Sequence, residues 1–523
     1  MNRPWSLFLA GLLALPACSP TLAQEARPAQ DARPAAEARP AERKEADKDK
    51  KEAEEEKPIV TRGEVTVGGR AIKYTATTGF MPLRDLDGNL EAKIFYVAYT
   101  ADEAGDKAKR PLMFSFNGGP GSSSVWLHMG ALGPKRVVMP DGPTIPAPPY
   151  QLANNGESWL DRTDLVFIDP VETGYSRAAK PEFIARFHGL RGDIASIGEF
   201  IRMYLSRNER WTSPLFLVGE SYGTTRAAGL AGYLSGRGIA CNGVILISSV
   251  IDYAAISAGR GNETPFVLYM PTFAATAWYH KALAPNLQGL SLREFLDRAE
   301  RFAATDYQAA LSKGDAVPDD ERARIVEQLA RFTGLAPRFV DQSNLRVTPQ
   351  RFFRELLRDK RRGVGRYDSR YLGIIEDAAG QATEFDPSYA AVQPAYTTTF
   401  NQYVRAGLGY KTDVRYNILG SERIGRWDFG GEGTGFPETL ADLRRAMAEN
   451  PALKVWIAGG YYDLATPYRI AAYTRDHMRL DPALKGNVRL TNYEAGHMMY
   501  LDAASREQLK RDAATFIDDA DGQ

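Results

Sequence analysis

Short, mostly apolar runs separated by longer amphipathic segments recur along much of the chain. They lie at residues 111–116, 165–168, 215–218, 244–249, 454–458 and 488–492. Strands of a parallel sheet have this character because helices cover both of their faces. Residues 192–206, between two of the runs, gather their apolar positions on one helical face. The alternation predicts an α/β fold with a mostly parallel central sheet.

The pattern changes twice along the chain. Residues 61–102 alternate between apolar and polar and include the turn Gly68-Gly69, which predicts antiparallel strands. Residues 251–409 carry long helical patterns instead, and the strand pattern returns near residue 453. We therefore predict a sheet domain in two parts, 58–250 and 410–523, with a helical cap inserted at 251–409.

The first residues have the features of an export signal. Arg3 precedes an apolar run at 5–17, which is short for a membrane span, so we predict a signal peptide over 1–23. Two cleavage sites compete. Cleavage before Cys18 would leave a lipidated cysteine and a membrane anchor, whereas cleavage after Ala23 would give a soluble periplasmic or secreted protein. Residues 24–57 are rich in Ala, Pro and charged residues, which predicts a disordered linker.

Charge and cysteine content exclude several classes of protein. The chain has 65 basic and 65 acidic residues, so nothing in its net charge draws it to nucleic acid. Its two cysteines cannot form a disulfide framework, and Cys241 opens an apolar run, where a buried, inert thiol is expected. The segment 85–89 lacks the acidic pattern of a calcium loop, and we predict neither a metal nor a cofactor.

The segment Gly219-Glu220-Ser221-Tyr222-Gly223 fits the pattern G-x-S-x-G between an apolar run and a helical one. In α/β-hydrolases this pattern forms a nucleophile elbow, which lifts a serine above the sheet edge. A glycine-rich turn follows an earlier strand at 117–124, and it lacks the Lys-Ser/Thr of a phosphate loop. Its backbone N–H groups, with that of Tyr222, are suited to stabilising an oxyanion.

Two late strands supply the remaining catalytic candidates. Asp463 follows the run 454–458, and His497 follows the run 488–492 and a glycine. The order Ser221, Asp463, His497 is that of an α/β-hydrolase triad. The other four histidines lie in helical segments, the cap or a loop, which leaves His497 as the expected base.

These motifs together resemble the serine carboxypeptidases, and the chain looks like a bacterial periplasmic member. The resemblance is carried by the loop 117–123, the elbow, Tyr462-Asp463 and Gly496-His497-Met498. It implies that Ser221 is the nucleophile, His497 the base and Asp463 its orienting acid. It further implies an oxyanion hole formed by the N–H groups of Gly119 and Tyr222. The resemblance assigns binding of the substrate's C-terminal carboxylate to Asn117, Gly118 and Glu220.

The chain departs from the family's pattern at two positions. Ala131 stands where eukaryotic members carry a second glutamate, so Glu220 would act alone, and a milder acidic optimum is expected. Ser122 stands where a cysteine is usual, so we expect the cleft to be held by packing alone.

We predict an exported enzyme that releases C-terminal residues from peptides or proteins through an acyl-enzyme. Two alternatives remain open at this stage. One is an esterase or acyltransferase on the same fold. The other is an envelope protein that binds ligands without catalysis.

Overall fold

The structure is a computed structural model that describes residues 56–380, 384–420, 427–430 and 435–522. The predicted signal peptide, Cys18 and nearly all of the predicted linker lie outside these residues. Within them, no helix combines the length and apolarity needed to cross a membrane.

The central sheet is mixed and mostly parallel, as the sequence pattern predicts. Its long strands are β1 (Ile59–Val67), β2 (Arg70–Arg84), β3 (Leu90–Ala101), β4 (Leu112–Phe116), β5 (Asp164–Ile168), β6 (Leu215–Glu220), β7 (Gly243–Ile247), β8 (Lys454–Gly460) and β9 (Val488–Tyr493). They lie side by side in the order β1-β2-β3-β5-β4-β6-β7-β8-β9, and the short strand Arg177–Ala178 pairs with β3. The first four in this order pair antiparallel, and the pairs from β5 onward are parallel.

Helices cover both faces of the sheet. The longer helices are α1 (Leu190–Arg207), α2 (Tyr222–Ser235), α3 (Thr264–Tyr279), α4 (Leu292–Phe302), α5 (Asp319–Thr333), α6 (Pro337–Gln342), α7 (Pro349–Glu355), α8 (Pro387–Ala406), α9 (Leu440–Glu449), α10 (Tyr468–Asp476) and α11 (Ala503–Asp521). Helices α1, α2 and α9 share one apolar core with the sheet, and α8 and α11 share the other. Strands buried on both faces explain why β4 to β7 read as continuous apolar runs.

Helices α3 to α7, which follow β7, have an apolar core of their own. Phe273, Phe295 and Phe352 lie in it, and it extends to Tyr462 and Leu464, the two neighbours of Asp463. The helical segment therefore packs directly against the loop after β8, where the predicted orienting acid lies.

Candidate active site

Ser221 lies on a sharp turn between β6 and α2. Its backbone has φ 60° and ψ −130°, an unusual conformation for a residue with a side chain. A Cβ at Gly219 would lie 2.0 Å from the carbonyl oxygen of Gly223, so a side chain there would clash with the start of the helix. The structure thus explains the first glycine of the motif, and it leaves Ser221 partly exposed at the carboxyl end of β6.

His497 and Asp463 meet across the ends of β8 and β9. His497 Nδ1 lies 2.7 Å from Asp463 Oδ2, and both side chains are buried. The backbone N–H groups of Ala465 and Thr466 donate to Asp463 Oδ1 at 2.8 and 2.9 Å. The Thr466 hydroxyl donates to Oδ2 at 2.7 Å. These bonds fix the carboxylate so that it can orient the imidazole and accept a hydrogen bond from its Nδ1–H group.

The surroundings of His497 favour its charged form. Burial acts to lower the pKa of His497, but the charge of Asp463 and its hydrogen bond outweigh burial, and the pKa is raised. A general base whose protonated form is stabilised in this way can take up a proton during the reaction.

One cavity contains both Ser221 and His497. Asn117, Gly118, Gly119 and Glu220 line it as well, so the structure brings most of the predicted site residues together. Tyr222 is not among the described residues that line this cavity, and its ring is buried, with the hydroxyl donating to Asp193 at 3.0 Å.

The glycine-rich loop packs directly on the elbow. A Cβ at Gly118 would lie 2.4 Å from the backbone nitrogen of Tyr222. Gly119 has φ +101°, in the region that favours glycine. Arg226 of α2 donates to the carbonyl oxygen of Asn117 at 2.6 Å and is buried against Asp193 at 2.8 Å. These contacts hold the glycine-rich loop against the start of α2, next to Ser221.

Asn117 and Glu220 form a buried pair at the base of the cavity. Asn117 Nδ2 donates to Glu220 Oε1 at 3.0 Å, while Asn117 Oδ1 accepts from the Leu127 backbone at 3.1 Å. Glu220 is 4% exposed, and its Oε2 makes no hydrogen bond among the described residues. Burial raises the pKa of Glu220 to about 7, against the lowering effects of His497, Tyr500 and Asn117. A carboxyl group of this kind carries a proton in weakly acidic solution and can then donate to an anion.

Two tyrosines lie close to the position of the missing glutamate. Ala131 is buried on the helical turn His128–Leu132. A Cβ at the adjacent Gly130 would lie 2.4 Å from the Tyr500 ring and 2.5 Å from the Tyr396 hydroxyl. The hydroxyl of Tyr500 also interacts with Glu220. Sequence reasoning missed these tyrosines, since neither is near residue 131 in the chain.

The prediction that packing alone holds the cleft is wrong. The Ser122 hydroxyl accepts from the Trp126 indole at 2.9 Å, and Ser122 and Leu419 form a β-bridge. The Ser123 N–H donates to the carbonyl oxygen of Ile418 at 2.9 Å. Main-chain hydrogen bonds therefore hold the loop against residues 418–419. Such bonds can form with any side chain, so they leave no pattern in the sequence.

The other predicted thiol and histidine environments agree with the structure. Cys241 is buried, and burial raises the pKa of its thiol to about 12. His128 is stacked on Phe167, and burial lowers its pKa to about 3. Neither group lines the cavity that holds Ser221.

Sequence reasoning also missed a segment between β7 and β8 that reaches the cavity. Arg366 and Tyr367 line it beside His497. The Tyr367 ring lies 5.2 Å from the His497 ring, centroid to centroid. The segment belongs to no long helix or strand, and its residues carry no motif that would have identified it.

Comparison with known sequences supports the relationship inferred from the motifs. Residues 69–282 match the model of the family described as serine carboxypeptidase. Serine carboxypeptidase-like 50 of Arabidopsis thaliana is 25% identical over 269 residues, which cover 50% of this chain and 52% of the plant protein. The pheromone-processing carboxypeptidase KEX1 of Saccharomyces cerevisiae is 31% identical over 155 residues, which cover 28% of this chain and 20% of the yeast protein. The alignments thus span about half or less of these relatives.

Comparison with solved structures supports the fold. The prohormone-processing carboxypeptidase Kex1(Δ)p of Saccharomyces cerevisiae aligns with a TM-score of 0.53 and 16% identity. The alignment covers 84% of this chain and 91% of the yeast chain. The shared fold extends well beyond the segment that the family model matches. Residues 69–282, which carry the glycine-rich loop and the Ser221 elbow, are thus the part of the chain that matches the serine carboxypeptidase family.

Proposed function

We propose that this chain is an exported serine carboxypeptidase that releases C-terminal residues from peptides. The observation that carries the proposal is the Asn117–Glu220 pair, which shares a cavity with Ser221 and His497. Ser221 and His497 could serve as nucleophile and base in any acyl-transfer reaction. A buried carboxyl with a raised pKa beside them suits recognition of a free carboxylate.

The acyl-enzyme mechanism follows from the roles of the triad. Ser221 Oγ attacks the scissile carbonyl carbon while His497 Nε2 takes its proton. The oxyanion is stabilised by the N–H groups of Gly119 and Tyr222. His497 then donates the proton to the leaving amine, and the acyl group remains on Ser221. Water, deprotonated by His497, attacks this ester and releases the shortened peptide.

Recognition of the chain end falls to the pair beside the nucleophile. The Gly118 N–H and Asn117 would bind the substrate's α-carboxylate together with Glu220. Glu220 must be protonated there, because two carboxylates in a buried site repel each other. The substrate's negative charge raises the pKa of Glu220 further. Activity on free-acid peptides should therefore decline in alkaline solution.

Export is proposed from the N-terminal sequence, which lies outside the described residues. Cleavage before Cys18 would attach the protein to the envelope through lipid, and cleavage after Ala23 would release it into the periplasm or the medium. The protein is produced in a bacterial host, and mass spectrometry of its mature N-terminus distinguishes the two cleavage sites. A mature chain that still begins at Met1 would refute export.

The activity is tested with one N-blocked dipeptide, its C-terminal amide and a short-chain ester. The free acid should be cleaved much faster than the amide, because only the acid offers a carboxylate to Asn117 and Glu220. Equal rates would refute carboxypeptidase specificity, and rapid turnover of the ester alone would favour an esterase. A fluorophosphonate probe should label the protein and fail to label Ser221→Ala. Absence of labelling in the parent protein would indicate a binding protein without catalysis.

A further inference from the structure

The segment Gly365–Tyr371 is bonded to both loops that carry the acid and the base. The N–H of Leu464, next to Asp463, donates to the carbonyl oxygen of Arg366 at 3.0 Å. The N–H of His497 donates to the carbonyl oxygen of Tyr367 at 2.6 Å. The N–H of Arg366 itself donates to Asp386 Oδ1 at 3.1 Å. The backbone of Arg366 therefore has a fixed position relative to His497.

The side chain of Arg366 adds a positive charge to the catalytic cavity. Arg366 is the only lysine or arginine among the described residues that line it. The side chain is exposed, and its Cζ lies 5.1 Å from the centroid of the Tyr367 ring. Stacking on an aromatic ring restricts a guanidinium while leaving its N–H groups available.

Arg366 differs in its partners from Arg370, four residues further along. Arg370 is largely buried and forms ion pairs with Asp368 at 2.8 Å and Asp502 at 3.6 Å. The Arg366 guanidinium forms no ion pair with a carboxylate in the described part of the chain. The arginine that holds the segment in place is thus neutralised, and the arginine that faces the cavity is not.

A guanidinium that forms no ion pair is complementary to a carboxylate, which it can bind through two parallel hydrogen bonds. Glu220, the one acidic side chain among the described residues that line the same cavity, is held largely neutral by burial in weakly acidic solution. Much of the remaining wall is aromatic or apolar, with Trp126, Tyr389 and Val392 among its residues. Arg366 is thus the site's uncompensated charge when Glu220 is protonated.

We propose that Arg366 is a specificity-determining residue that binds a carboxylate of the peptide substrate. This inference rests on the proposed function. The carboxylate is either an acidic side chain beside the scissile bond or the α-carboxylate of the chain end, and the experiment separates these sources. Neither the family's motifs nor the predicted site included this residue.

The experiment measures binding in Ser221→Ala protein by calorimetry, so that it does not depend on turnover. The ligands are N-blocked Phe-Glu and Phe-Gln, Glu-Phe and Gln-Phe, and the amide of Phe-Gln. With Arg366 present, a carboxylate ligand should bind more tightly than its neutral counterpart by about 10- to 150-fold, the range of a hydrogen bond to a charged group. In Arg366→Met the preference that depends on Arg366 should disappear, and Arg366→Lys should restore part of it, since an ammonium lacks the planar fork.

The two sources give different patterns. If Arg366 binds a side chain, the affinity ratio between a Glu peptide and its Gln counterpart falls in Arg366→Met, while the affinity ratio between Phe-Gln and its amide is unchanged. If Arg366 binds the chain end, the ratio between Phe-Gln and its amide falls, and the Glu/Gln affinity ratios are unchanged. Arg338→Met is the control, because Arg338 is exposed on α6 and does not line the cavity. It should change no ratio.

The proposal is overturned if every affinity ratio is the same in Arg366→Met and in its Ser221→Ala parent. Circular dichroism must show that both proteins are folded. This outcome is distinct from failure of the proposed function. Cleavage of N-blocked Phe-Gln by the protein with Ser221 intact tests the function alone. Cleavage without an effect of Arg366 refutes this inference, and charge-selective binding without cleavage refutes the function.

Discussion

Replacing Glu220 with glutamine should widen the pH range in which free-acid peptides are cleaved. Burial raises the pKa of Glu220 to about 7. Below that pH the carboxyl is protonated and can donate to the substrate's carboxylate, and above it the two groups repel. Each further pH unit lowers the competent fraction about tenfold, which corresponds to about 1.4 kcal/mol. For the parent enzyme, kcat/KM on a free-acid peptide should therefore fall about tenfold per unit above about pH 8.

The same substitution should leave the acidic limb of the profile nearly unchanged. Burial and the charge of Arg366 act to lower the pKa of His497, while the carboxylates of Asp463 and Glu220 raise it. In the acidic range Glu220 is already protonated and neutral, because burial raises its pKa to about 7. The variant should therefore lose the alkaline limb and keep the acidic one.

Glutamine suits this test because it preserves the geometry of the pair. Its Oε1 can still accept from Asn117 Nδ2, and its amide donates where the protonated carboxyl would. The assay compares kcat/KM across the acidic and alkaline range for one N-blocked dipeptide and its amide, in parent and variant. The amide serves as control, because without a carboxylate it should show no alkaline limb due to Glu220. An identical alkaline limb in both proteins on the free acid would refute the role of Glu220.

Three further substitutions test the supports of the site. Asp463→Asn should lower kcat by about 10⁴-fold with little change in KM, because the amide no longer stabilises the imidazolium. Stopped-flow measurement of peptide cleavage checks this value, and a loss of kcat below about tenfold would contradict it. Gly118→Ala places a Cβ 2.4 Å from the Tyr222 nitrogen, so kcat/KM should fall by about 10²- to 10³-fold as the oxyanion donors move apart. Unchanged activity of that variant would show that the donors lie elsewhere. Arg226→Met leaves the Asp193 carboxylate buried without its cation and should cost about 3–5 kcal/mol of unfolding free energy in urea. Adding Asp193→Asn to it should recover part of this loss, and the absence of any recovery would argue against the ion pair.

Much of the fold was predictable because its physical causes are local. A strand buried on both faces must be apolar throughout, so β4 to β7 were visible as runs. The elbow was visible for a similar reason, because Gly219 must lack a side chain for β6 to pass α2, and Gly223 must lack one for α2 to pass the end of β4. Asp463 and His497 could be located because functional side chains of α/β sheets follow the carboxyl ends of strands.

The parts of the site that were not predicted depend on contacts between distant segments. Tyr396 and Tyr500 meet over Gly130, although they are far from it in sequence. The loop at Ser122 is held by the main chain of residues 418–419, and main-chain bonds leave no residue pattern. Nothing in the sequence around Arg366 distinguishes it from the exposed arginines of the same helical region.

The sequence by itself determined the fold class, the order of Ser221, Asp463 and His497 along the chain, and the resemblance to the serine carboxypeptidases. These depend on periodicity, on glycines required by close backbone approach and on residues that follow strands. Only the tertiary structure decided which groups surround Ser221. Burial beside Asn117 decides the protonation of Glu220, because its pKa depends on the solvent that packing removes. Bonds from the loops of Asp463 and His497 decide that Arg366, and not Arg370, carries an unpaired charge into the cavity.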